Sequence, residues 1–168
     1  MQSTIQGDWI FYGAVGFSGN GTLTLPSGIV TNANLVAYAN LDISKLRHRV
    51  DETLSQGSAT TAAAQSNPIY VAKAAGTITG LEVGAVVANI GAAACTVDLK
   101  KNGTSVLTGG TPVSLTNATA AYATVAASIT TAAYAAGDVF ELIITATAGG
   151  GTLAKGLFVK FEADEANQ

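Results

Sequence analysis

The sequence predicts a mainly β protein, an antiparallel β-sandwich preceded by an extended N-terminal arm with one short helix, and three observations lead there. Only 11% of the 168 residues are charged, against about 25% in an average soluble domain, while Ala, Thr and Gly crowd the chain. Beyond residue 65, apolar and β-branched runs alternate with Gly, Asn and Pro signals at the roughly 8–12-residue spacing of a sandwich or barrel. Asn102-Gly103, set between Thr96–Lys101 and Thr104–Leu107, supplies the positive φ angles of a type I′ hairpin turn.

Taken in chain order, Asp8–Tyr12 and Gly21–Leu25 read as short extended pieces separated by the glycine-rich Gly13–Gly21, and Pro26-Ser27-Gly28 makes a turn. Between Thr31 and Leu46 the apolar residues Leu35, Val36, Leu41, Ile43 and Leu46, with Asp42 or Ser44 as an N-cap, predict a short helix running toward Arg47. Ser55–Ser66 holds no large side chain and cannot bury enough apolar surface to fold by itself, so it reads as a linker. Residues 1–54 are then an arm, 55–66 a linker and 67–168 a β-sandwich head.

Candidate strands in the head are Ile69–Ala74, Ile78–Ala88, Cys95–Lys101, Thr104–Thr108, Val113–Leu115, Ala121–Ile129, Val139–Ala146 and Leu153–Glu162. In the third, alternation puts Cys95, Val97 and Leu99 on the core face, with Asp98 and Lys100 on the other. Ala136-Gly137-Asp138 is a turn feeding Val139–Ile144, whose near-continuous apolar run marks a central strand. Lys160 and Glu162 are expected to face water, and Glu162–Gln168 to be a short acidic tail.

The inventory of reactive groups argues against an enzyme. There is one His and one Cys; a dyad would need His48 of the arm to meet Cys95 of the core, and Cys is among the most buried residue types even when inert. No Gly-x-Ser-x-Gly elbow exists. The only adjacent acids, Asp51-Glu52 and Asp164-Glu165, suit solvated surface, and no calcium-loop pattern appears. Gly149-Gly150-Gly151 lacks the Lys-Ser/Thr pair and strand-to-helix context of a phosphate loop. No catalytic residue, metal or cofactor is therefore expected.

Net charge of -3, with Arg47-His48-Arg49 as the only basic cluster, excludes a basic nucleic-acid footprint. No apolar run reaches the roughly 20 residues of a membrane span, and Met1–Thr4 lacks the start of a secretory signal. Binding to another protein remains. Arg47-His48-Arg49 reads either as a solvated turn beyond the helix, favourable to its dipole, or as a docking contact, since Arg is enriched at interface hot spots. Trp9, Phe11 and Tyr12 either close the bottom of the sandwich or lie in a groove on a partner. With Leu41 and Leu46, these residues make the candidate docking set.

The run Thr96–Leu107, followed by Ala136–Leu142 and Gly151–Leu157, resembles the β-sandwich domain of tailed-phage capsid decoration (cement) and head-fibre proteins. Leu25–Ala33 and Leu41–Arg49 fit the same pattern, and the resemblance covers most of residues 23–162. It implies a trimeric, jelly-roll-like head on the outer surface of a phage capsid, assembled in the host cytoplasm and seated where major capsid protein subunits meet. The alternative is a fibre or adhesin module whose loops bind host-surface glycans through exposed tyrosines, from among Tyr70, Tyr122 and Tyr134.

Overall fold

The structure, a computed structural model, describes residues 47–166. The expected arm pieces and helix, with Trp9, Phe11, Tyr12, Leu41 and Leu46, lie outside the described residues. Ten strands follow in order: β1 (Arg47–Ser55), β2 (Gln65–Val71), β3 (Gly76–Val87), β4 (Ala94–Lys101), β5 (Thr104–Ser105), β6 (Val113–Leu115), β7 (Thr124–Ala126), β8 (Ala133–Tyr134), β9 (Val139–Thr147) and β10 (Lys155–Ala166).

They form two antiparallel sheets. One has the order β1-β10-β3-β7, with β8 also on β3; the other has the order β2-β9-β4-β5, with β6 also on β4. Four of the pairings are nested, β1 with β10, β2 with β9, β3 with β7 and β4 with β6. A long antiparallel hairpin wound around a core gives that nesting, with successive long strands alternating between sheets. This is the jelly roll, as the resemblance implies.

The β4–β5 hairpin closes on Asn102 (φ 50) and Gly103 (φ 83), the two positive φ angles a type I′ turn requires. Cys95, Val97 and Leu99 are fully buried, and β9, central as expected, turns Phe140, Leu142 and Ile144 onto them. From the other sheet Leu81, Val83, Leu157, Val159 and Phe161 complete the core. Phe140 and Phe161 meet across the two sheets with ring centroids 5.2 Å apart. Asp98 faces outward but is covered, accepting a 2.6 Å hydrogen bond from the Ser105 hydroxyl.

Three expectations change. The sandwich starts at Arg47, not residue 67: β1 pairs with β10 from Arg47↔Ala166 to Ser55↔Phe158. The stretch expected to be a linker is packed. Gln56 exchanges side-chain hydrogen bonds with the Ala63 backbone (2.7 and 3.0 Å), the Ala62 N–H donates to the Ala154 carbonyl (2.8 Å), and Gln65-Ser66 already belongs to β2. Small side chains do not exclude order here, because this stretch lies on a finished sheet and its backbone groups are satisfied there.

The acidic tail is strand as far as Ala166, between β1 and β3. There a Cβ on Gly76 would collide with the Asp164 carbonyl, so only glycine lets the two strands pass. Smaller differences follow the same logic of local pairing. Ala121–Ile129 shrinks to β7 with an isolated bridge Ile129↔Leu107, and β8 adds a two-residue strand.

Strand direction sorts the loops. Arg47, Gly76, Lys101 and Ala166 mark one end of the sandwich, so the chain joins the head there and β10 finishes beside it. The loops at residues 56–64, 88–93, 116–123 and 148–154 gather at the opposite end.

Candidate functional site

Of the predicted docking residues, Arg47, His48 and Arg49 lie on an edge strand rather than on a turn after a helix. Arg47 is the first strand residue. Even-numbered β1 residues share the core-facing side with Val50, which is buried against its β10 partner Ala163; odd-numbered ones face out.

On the outer side, Arg49 and Asp51 stand beside Lys160 and Glu162 of β10. The Arg49 guanidinium donates to the Glu162 carboxylate and lies 3.2 Å from Asp51, while Lys160 Nζ also donates to Glu162 and lies 3.9 Å from Asp51. The Lys160 hydrogen bond, then that of Arg49, holds the Glu162 carboxyl below the usual range. The same contacts raise the pKa of both cations, with the hydrogen bond to Glu162 foremost for each. Lys160 and Glu162, expected to face water, face outward into this network.

On the core side, Glu165 is almost completely buried. Its Oε1 accepts hydrogen bonds from the Tyr70 hydroxyl and, at 3.1 Å, from the Lys73 backbone N–H; its Oε2 lies 3.8 Å from His48 Nδ1. Tyr70 is wedged against Phe140 and Phe161, both at 6.2 Å between ring centroids, and burial, then the hydrogen bond to Glu165, pushes its hydroxyl far above the usual tyrosine range. Tyr134, edge-on to Phe140, is pushed up to about 12, first by burial and then by the charges of Glu165 and Asp164.

Between the β1 edge at residues 48–52 and Tyr70 and Lys73 beyond the β2 edge lies an open cleft of about 270 Å³. Its walls carry both signs of charge. Among the described residues no three His, Cys, Asp or Glu side chains cluster to hold a metal. Polar recognition is what such a cleft can do. Sequence reading missed Tyr70, Lys73, Glu162 and Glu165 here, because none becomes visible until residues 47–55 are read as a strand.

The opposite end differs in character. Tyr122 is 73% exposed at a φ of 62, uncommon for a residue with a side chain, and Ile90 is 62% exposed. Beneath these loops Asn89 is buried, donating to the Leu115 carbonyl at 2.9 Å and accepting from the Ala154 N–H at 2.8 Å, with Cys95 Sγ 3.6 Å from its carbonyl oxygen. Cys95 is the core thiol that strand alternation predicts, and burial raises its pKa. Of the tyrosines weighed for a sugar site, Tyr134 is buried and Tyr70 is held by Glu165, which leaves Tyr122 exposed.

No protein-family model matches the chain, and no curated protein is similar to it in sequence.

Proposed function

We propose that the chain is a structural virion protein that binds the outside of a phage capsid and cements neighbouring major capsid protein subunits. The observation that carries this reading is the pairing Arg47↔Ala166. The chain enters the jelly roll at Arg47, at the end opposite the loops of residues 56–64, 88–93, 116–123 and 148–154. The low charge of the chain and the resemblance of its hairpins and turns to capsid decoration proteins support the same assignment. Jelly rolls serve viral capsids, lectins and cupins alike, so the fold by itself does not choose among them.

Docking falls to residues 1–46, with Trp9, Phe11, Tyr12, Leu41 and Leu46 as contacts and Arg47, His48 and Arg49 at the junction. Co-sedimentation with capsids stripped of their own decoration tests this. Full-length protein is expected to pellet with capsids, and residues 47–168 alone to stay in the supernatant. A head that binds as tightly as the full chain overturns the docking assignment.

Exposed Tyr122 favours a second reading, a fibre or adhesin whose loop end binds host glycans. Glycan-array binding abolished by Tyr122→Ala, without any capsid binding by the wild type, is the result that would select it.

A further inference from the structure

The β1 strand is the edge of its sheet, and among the described residues its second side has no neighbour. An edge of nine residues invites pairing with another strand, and proteins commonly guard such edges with charge. Here the charges are sorted: Arg47-His48-Arg49 precede Val50, and Asp51-Glu52 follow it. A protective edge needs charges in no particular order. This order makes the strand complementary to itself when reversed, and to itself only when reversed.

We infer that two copies of the chain pair edge to edge through β1, antiparallel about a two-fold axis at Val50. That register sets Arg49 opposite Asp51 of the second copy on the outer face, and His48 opposite its Glu52 on the core side, twice each by symmetry. A parallel alignment in the same register sets like against like, which is destabilising across a ladder. Both pairs are accessible to a partner. The Arg49 and Asp51 side chains are 59% and 49% exposed and the His48 side chain 63% exposed, and Glu52 is exposed with no ion-pair partner among the described residues.

Arg49 and Asp51 already meet within one strand, at 3.2 Å, and together with Lys160 and Glu162 they form a band along the outer face. Pairing two edges joins two such bands into one. It also buries the unpaired backbone groups of the edge, and a two-fold interface is by nature one in which a patch meets its own copy. The cleft beside His48 and Tyr70 then lies next to the new ladder. This pairing is two-fold, in place of the trimer the resemblance implies, and it stands without the capsid reading.

Light scattering of the full chain across micromolar concentrations tests it, with two variants, Arg49→Glu and Asp51→Arg. The wild type is expected to move from 16.8 kDa toward twice that mass. Each variant sets like charges opposite each other twice, and is expected to weaken self-association by about tenfold or more. An equimolar mixture restores Glu opposite Arg and Asp opposite Arg, so the two variants are expected to associate with each other as the wild type does with itself. Far-UV circular dichroism checks that each stays folded; if either does not, the wild-type dimer is read against rising salt, which should loosen it. A wild type that remains at 16.8 kDa, a mass of three copies, or a dimer indifferent to both substitutions and to salt overturns the inference.

Discussion

The β4–β9 ladder and the β1–β10 ladder are built of the same kind of backbone pairing, yet their side chains could hardly differ more. Core-facing residues of the first are apolar up to its last pair: Cys95, Val97 and Leu99 stand opposite Ala146, Ile144 and Leu142, and only Lys101, opposite Phe140 at the ladder's end, breaks the run. The core-facing side of β1 reads His48, Val50, Glu52 and Leu54, and only Val50 is buried. A central strand is specified by what it buries. An edge strand is specified by the neighbour that accepts it, here β10, whose Val159, Phe161 and Ala163 are fully buried in the core.

The largest effect that would break this comparison lies in the core. Phe161→Ala and Leu142→Ala, each at a site with no more than 1% exposure, are expected to cost about 3–5 and 2–5 kcal/mol respectively, through lost burial and the cavity left behind. Val50→Ala on β1 removes two methyl groups at a site open on one side and should cost about 1–2 kcal/mol. Urea unfolding measures all three. If Val50→Ala matches the other two, β1 is a structural member of the core rather than a guest of β10.

The same contrast sets how much of the molecule is legible in the sequence. Alternation and the Asn-Gly turn identify β4, β5 and β9, and they assign Cys95 to the core face. They fail for residues 47–55 because every strong apolar signal is missing there, and a charged segment beside a Ser/Thr/Ala run reads as arm and linker. The tail fails for the same reason. Asp164-Glu165 looks solvated until Tyr70, Lys73 and β1 are brought around it, and these contacts span more than ninety residues of chain. The candidate site therefore stays hidden, although the scarcity of basic groups draws attention to two of its residues, His48 and Arg49.

An intermediate effect sharpens the comparison at the buried acid. Glu165 keeps its place through the Tyr70 hydroxyl and the Lys73 N–H, so Tyr70→Phe removes one of two strong donors and leaves a buried carboxylate short of a partner. The expected cost is about 1–3 kcal/mol. Combining Tyr70→Phe with Glu165→Gln removes the charge as well and should recover part of that loss. If Tyr70→Phe has no effect on the urea midpoint, the hydroxyl is dispensable and the polar seam between β1 and β2 does not help hold the edge in place.

The smallest effect separates the two ladders by how their carboxylates respond to acid and salt. Glu162, in the β1–β10 network, and Asp138, in the turn before β9, both have pKa values below their ordinary ones. A lowered folded value means that each group stabilises the fold at pH above its unfolded value, near 4.5 and 3.8, and that this contribution fades as pH falls through the folded value. Their causes differ. Glu162 is held chiefly by the cationic side chains of Lys160 and Arg49, which lie on the surface and are open to screening. Asp138 is held first by the Ala135 N–H at 2.9 Å and then by the Asn102 amide at 2.7 Å, neutral donors fixed by two adjoining turns. Raised salt should therefore weaken the first much more than the second. In acid titrations of the unfolding midpoint, Glu162→Gln is expected to flatten the loss of stability at low ionic strength and to change it little at high ionic strength, whereas Asp138→Asn flattens it at both. Equal salt dependence for the two variants would mean that the β1–β10 ions are held as firmly as the β9 turn, and the distinction between a self-specified ladder and an accepted one would fail on its polar side.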